Sequence, residues 1–129
     1  MDLMRLKPVE GATLELLDPV TGYVLTCDEH KKPFTLTLIS ADSEKWQGMV
    51  NNNIDKMLDA RKSGKKDNQS TSERACEMLA RATTDCYIIE NKVRVPCDYE
   101  ELKRVYSSYK WIREQAEAFI NDRANFIKS

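Results

Sequence analysis

Ser70-Thr71-Ser72-Glu73-Arg74-Ala75-Cys76-Glu77-Met78-Leu79-Ala80-Arg81-Ala82-Thr83-Thr84-Asp85-Cys86-Tyr87-Ile88-Ile89-Glu90 holds the strongest apolar seam in the chain. It opens on an S-x-x-E capping box, Ser70 with Glu73, whose side chains satisfy the free N–H groups of a first helical turn. Behind it Ala75, Leu79, Ala82, Cys86 and Ile89 recur at alternating steps of four and three, the spacing of one helix face. The spacing predicts a helix over 71–90. Its small seam residues would let a second helix approach closely, and five seam positions are too few for a free-standing coiled coil. The seam therefore reads as the centre of the core.

Toward the C-terminus, Asn91-Lys92-Val93-Arg94-Val95-Pro96 reads as an extended connector, because Pro96 disfavours helical angles at Val95. Asp98 and Glu101 form a second capping box, heading a helix over 98–109 with Leu102, Val105, Tyr106 and Tyr109 on its inner face. A bend near Ser108–Lys110 leads to a last helix, 111–124, marked by Ile112, Ala116, Phe119 and Ile120. Its other face carries Arg113, Glu114, Glu117, Asp122 and Arg123, more polar than a core helix requires. Phe126 follows at a position that would normally fray, so it either folds back onto the core or is offered to a partner.

Toward the N-terminus, residues 12–39 read as a small antiparallel meander. Phe34, Leu36 and Leu38 alternate with Thr35 and Thr37, a clear period of two. Residues 12–17 and 23–27 supply two further strands around Asp18-Pro19-Val20-Thr21-Gly22, where Pro presets φ and Gly accepts a positive φ. Such a sheet is marginal alone and must lay its apolar face on helices. Ser40-Ala41-Asp42-Ser43 offers caps for one over 42–62, with Trp46, Val50, Ile54, Met57 and Leu58 on one face. Residues 61–69 are a lysine-rich flexible loop. No aromatics interleave with the lysines, so a single-strand nucleic-acid patch is disfavoured. The expectation is a single α+β domain over 1–129, mainly α-helical with three or four helices and a small N-terminal antiparallel sheet.

Composition narrows the function. The 129 residues carry a net charge of -1, with 32% charged and 41% apolar side chains, which gives no bulk attraction to nucleic acid or anionic membrane. No apolar run reaches the length of a bilayer span, and the first residues lack a signal-peptide core. The four cysteines, Cys27, Cys76, Cys86 and Cys97, show no C-x-x-C spacing and read as reduced thiols of an intracellular protein. The single histidine, His30, lies in a polar turn, the four glycines are scattered, and no metal-ligand spacing is present. Catalysis, a phosphate loop and a cofactor site thus lack positive support. A binding or assembly role remains.

Four stretches then carry a resemblance to the tail assembly chaperones of long-tailed bacteriophages. They are the strand pair around Asp18-Pro19-Val20-Thr21-Gly22; the strand-to-helix step Ala41-Asp42-Ser43-Glu44-Lys45-Trp46; the connector Asn91-Lys92-Val93-Arg94-Val95-Pro96-Cys97-Asp98 after an apolar helix; and Tyr109-Lys110-Trp111-Ile112-Arg113-Glu114-Gln115 with Phe119-Ile120-Asn121-Asp122-Arg123 and Asn125-Phe126. The last is the most specific. Tyr87-Ile88-Ile89-Glu90 stands where that family often carries a tryptophan.

The resemblance implies a non-enzymatic protein that binds the tape measure protein, keeps it soluble and primes tail tube assembly. It further implies self-association into a homo-oligomer, and a short form matched by a longer frameshifted form that recruits the major tail protein. The location implied is the host bacterial cytoplasm, with no place in the mature virion. The chain would correspond to the short form or to the shared N-terminal part. A client of apolar helical seams calls for apolar anchors and a polar rim. Trp111, Phe119 and Phe126, with Arg113, Gln115, Arg123 and Asn125, have that chemistry, although Phe119 at helical spacing also fits a core. The runner-up is a structural tail or connector protein retained in the virion as a homo-oligomer. A small DNA-binding regulator is a third reading, disfavoured by charge.

Overall fold

The central strand forms where the sequence alternates most cleanly. The computed structural model describes residues 3, 9, 11–27, 32–62 and 71–127, with side chains left aside at 53, 54, 56, 57, 59–62, 71 and 123. In it Thr35–Ile39 is β2, flanked on one edge by β1 (Gly11–Glu15) and on the other by β3 (Thr83–Tyr87), both antiparallel to it. Leu36 and Leu38 point into the core with Leu14 and Leu16, while Thr13 and Thr37 join their hydroxyls at 3.1 Å on the opposite face. One face of the sheet is apolar and must be covered.

The cover is helical. Among the described residues, α1 (Glu44–Lys62), α2 (Thr71–Ala82), α3 (Tyr99–Ser108) and α4 (Lys110–Asn121) follow in chain order, with a short hairpin, β4 (Ile89–Glu90) and β5 (Val93–Arg94), between β3 and α3. α2 and α3 make the most extensive helix pair, and α4 lies across both them and β2. Leu79, Leu102, Val105, Tyr106, Ile112, Ala116 and Ile120 meet Leu36 and Leu38 in one buried cluster. α1 reaches that cluster through Trp46 and Met49 near its start, and Leu58 further along is exposed. The molecule is thus a small α+β protein, and no described helix is long and apolar enough to cross a membrane.

Local chemistry explains most boundaries. Asp98 heads α3 with an extended backbone, and its carboxylate accepts from the Glu101 N–H at 2.9 Å, satisfying an otherwise orphaned donor. Asp18 organises the predicted reversal: its carboxylate accepts from Val20 and Thr21 N–H, and Gly22 adopts a φ of 78°. α3 and α4 remain separate helices, meeting at Tyr109, whose backbone leaves helical angles. The last helix ends at Asn121, earlier than the predicted 124. Asp122 then caps a 3₁₀ turn, Arg123–Phe126, through the Ala124 N–H at 3.1 Å.

Three expectations are corrected. The helix predicted over 71–90 stops at Ala82, and the chain passes without a loop into β3. Thr83 turns its hydroxyl back onto the Leu79 carbonyl at 2.7 Å. From Thr83 onward, β-branched and aromatic side chains suit the open edge of β2 better than another helical turn. Cys86 is buried as the seam reading required, but as a strand residue, opposite Leu36. Thr84 is the extra residue of a bulge between the Leu38–Thr83 and Thr37–Asp85 pairs. The predicted connector 91–96 is instead largely a hairpin. Asn91 and Lys92 both take positive φ, 51° and 65°, the signature of a two-residue primed turn. The third strand predicted at 23–27 reduces to single bridges, Leu17 with Val24 and Thr26 with Pro33. The remaining loop 63–69, Ser70 and His30 lie outside the described residues.

Phe126 folds back. It is fully buried, and its ring meets Phe119 edge-on at 5.4 Å between centroids. Phe126→Ala is therefore expected to cost about 3–5 kcal/mol of folding stability, the range for deleting a buried aromatic, read as a lowered urea midpoint. Lys92→Gly is expected to act oppositely, gaining a few tenths to about 1 kcal/mol by relieving a left-handed conformation. The same titration checks both.

Candidate functional site

The seven residues singled out on the last helix and its extension divide by contact. Gln115 presents its amide to the backbone of Leu17, accepting from the N–H and donating to the carbonyl, both at 2.8 Å. It acts as a surrogate strand partner for the 17–24 excursion. Arg113 places one guanidinium nitrogen, Nη1, 3.8 Å from the Cys76 sulfur on α2 and another, Nε, 3.9 Å from the Glu117 carboxylate, with little of its side chain exposed. Asn125 donates to the Phe119 carbonyl at 3.1 Å, closing the end of α4. Phe119 is half-buried against Phe126, which is itself in the core. These side chains fasten the fold, so the expected surface of apolar anchors and polar rim does not form from the set as a whole. The Arg123 side chain lies outside the described residues.

Trp111 is different. It stands half-buried at the first turn of α4, its ring edge-on to Tyr109 at 6.4 Å, and both border a half-open cavity of 320 Å³. The floor and walls are apolar: Leu25 and Phe34 from the N-terminal excursion, Ile88 and Ile89 from the hairpin, Val105 and Ile112 from the helices. Its volume falls at the small end of ligand pockets, roughly 300–1,000 Å³. Glu90 and Asn91 bring polar atoms to the mouth.

That polar rim is an ordered network. The Glu90 carboxylate accepts from Arg104 at 2.8 Å and from the Tyr109 hydroxyl at 2.7 Å. Arg104 also bridges to Glu101 at 2.9 Å. The Arg104 guanidinium, and then the Tyr109 hydroxyl, hold the Glu90 carboxyl below its ordinary value of 4.5. The Tyr109 phenol is raised above 10.0, chiefly because it donates to Glu90. These groups are solvent-facing, so the network orders the rim more than it stabilises the fold.

The cavity joins segments some eighty residues apart, and its walls on 25, 34 and 88–89 were not singled out from sequence. Tyr87-Ile88-Ile89 and Val93-Arg94-Val95 flank Glu90-Asn91-Lys92 as two β-prone runs, but their turn lacks the glycine that marks a two-residue hairpin in sequence. Among the described residues no cluster of three or more His, Cys, Asp or Glu side chains is placed to hold a metal ion.

Comparison of the chain with known protein families, with curated proteins and with solved structures finds no match. The site is therefore read from its own chemistry: an apolar recess with an aromatic lip and a charge-paired rim, suited to receiving an apolar side chain.

The rim has a definite pH behaviour. A carboxylate held below its ordinary pKa contributes stability fully present above 4.5 and lost as pH falls through the lowered midpoint. The raised Tyr109 phenol contributes below 10.0, and its share is lost as pH climbs through its own raised midpoint. Carboxyl NMR should show Glu90 titrating below 4.5. Tyr109→Phe should move it part-way back, and Arg104→Gln should move it further because the guanidinium is the larger cause.

Proposed function

We propose that this chain is a tail assembly chaperone of a long-tailed bacteriophage, which binds the tape measure protein and keeps it soluble before the tail tube forms. The observation that carries the reading is Trp111. It belongs to the stretch most similar to that family, and with Tyr109 and Ile112 of the same stretch it lines an open apolar cavity. An apolar recess with a polar rim suits reversible capture of helical segments, since one or two side chains are buried while charged neighbours stay solvated. On this reading the protein works without catalysis in the host bacterial cytoplasm. It self-associates, shares its sequence with a longer frameshifted form that engages the major tail protein, and is absent from the finished virion.

A second reading, a tail or connector protein retained as a homo-oligomer, is favoured by the exposed apolar side chains Leu17, Val20, Tyr23 and Val24 around the Asp18 turn. Exposed apolar patches of this kind mark contact surfaces. Detection of the chain in purified virions would favour this reading over the first.

Co-expression with the tagged tape measure protein of the same phage tests the chaperone reading. The tape measure protein should become soluble and carry this chain with it in a pull-down. Trp111→Ala should lower capture at least about tenfold, a loss of roughly 1.4 kcal/mol, while keeping a cooperative thermal transition. Precipitation of the tape measure protein alone, with this chain remaining in solution, would overturn client binding by this form.

A further inference from the structure

The hairpin brings two cysteines together that sequence spacing had kept apart. Its register pairs Glu90 with Val93 and Ile89 with Arg94, and the Val95 N–H donates to the Ile88 carbonyl at 2.9 Å. Carried outward by the same count, Cys86 falls opposite Cys97. Cys86 shares the face on which Ile88 is buried, because strand residues two apart point the same way, and its thiol is within hydrogen-bonding reach of the Cys97 side chain. The Cys86 sulfur lies 3.9 Å from the Val95 carbonyl oxygen. Opposed residues of an antiparallel pair have Cα atoms about 4.5–5.5 Å apart, inside the roughly 4.4–6.8 Å range that a disulfide spans.

The two thiols also differ in access. Cys86 is 3% exposed and Cys97 is open to solvent. Burial first, and then the neighbouring Cys97 side chain, pushes the Cys86 thiol up to about 12, so Cys86 remains a protonated, sheltered partner. An exposed thiol beside a buried one is the arrangement of a peroxide-sensitive pair, in which the first meets the oxidant and the second resolves it.

We propose that Cys86 and Cys97 are a redox-active dithiol, reduced at rest and closed to an intramolecular disulfide by a hydroperoxide. The Cys97 thiol gives its proton to solvent and its thiolate attacks the peroxide; an S–O bond forms, the O–O bond breaks, and hydroxide (or alkoxide) leaves and takes up that proton, giving a sulfenic acid and water (or an alcohol). The Cys86 sulfur then attacks the Cys97 sulfur, the S–S bond forms, and hydroxide leaves with the Cys86 proton as water. Two thiols are oxidised by two electrons and one peroxide is reduced. The bridge staples the hairpin that carries Ile89, Glu90 and Asn91, one wall of the cavity.

The test uses the full chain and hydrogen peroxide, with no client present, so its outcome is independent of the chaperone reading. After treatment, denaturation and alkylation, labelled thiols should fall from four to two. Peptide mapping should join Cys86 to Cys97, and dithiothreitol should restore all four. The melting temperature should rise by several degrees on oxidation. Cys97→Ser should abolish the bridge and Cys27→Ser should leave it intact. Oxidation confined to Cys97 as sulfinic acid, a Cys97–Cys97 dimer, or a bridge that includes Cys27 would each overturn the proposal.

Discussion

The hydroxyl of Thr83 holds the junction on which the architecture turns. It is buried, donates to the Leu79 carbonyl at 2.7 Å, and meets the Tyr106 hydroxyl at 2.7 Å. One side chain thus closes α2, starts the strand that completes the sheet and ties both to α3. Tyr106 is fully buried, and burial raises its phenol far above the ordinary range against the opposing effect of the hydrogen bond with Thr83. A buried hydroxyl pair with both members satisfied costs little; with one removed, the other is left unpaired in the core. Because α2 passes into β3 with no intervening loop, helix and strand are joined directly, and the shared core cluster holds the helical layer on the sheet. Their angle determines where the β4–β5 hairpin emerges, and hence the position of one cavity wall.

The cavity is what remains open after those layers close. α4 crosses α3 at Tyr109, which leaves Trp111 at the junction instead of within the helix stack. The hairpin approaches from the other side and supplies Glu90 to the rim, where Arg104 bridges two carboxylates and Tyr109 completes the set. Such a rim keeps the mouth hydrated while the floor stays apolar. A surface built this way favours contacts that form and dissolve over contacts that last, since the charged groups keep their partners whether or not the recess is filled.

Much of this fold was legible in the sequence, and the misreadings have physical causes. The alternation of residues 34–39 identified the central strand because one face of it is buried and the other is lined with threonine. The Asp98 cap, the Asp18 turn and the helical spacing of 112, 116 and 120 all follow local rules that tertiary structure left unopposed. The run 83–90 did not. Cys86 and Ile89 sit at helical intervals from Ala82, yet Cys86 and Ile88 also satisfy the period of two, and the free edge of β2 decided between them. At the site, Trp111 was named in the sequence only as one of three apolar anchors, with Phe119 and Phe126. Its companions Leu25 and Phe34 were invisible because their meeting with it depends on pairing across the whole chain. Phe126, left open between core and partner, folds back onto the core, and Gln115 and Asn125, read as a polar rim, hold backbone groups of the fold.

Those fastenings govern the order in which the molecule is made. Gln115 clasps the backbone of Leu17, 98 residues away, and the Phe126 carbonyl accepts from the Val9 N–H. Contacts of such separation carry the entropic cost of closing most of the chain before they return any binding energy. On a ribosome, β1 and β2 emerge early, but the helix that fixes their excursion and the strand that covers their second edge emerge late. The nascent sheet therefore keeps an open edge until β3 follows. Until then the unpaired edge and its uncovered apolar side chains are open to association with other chains.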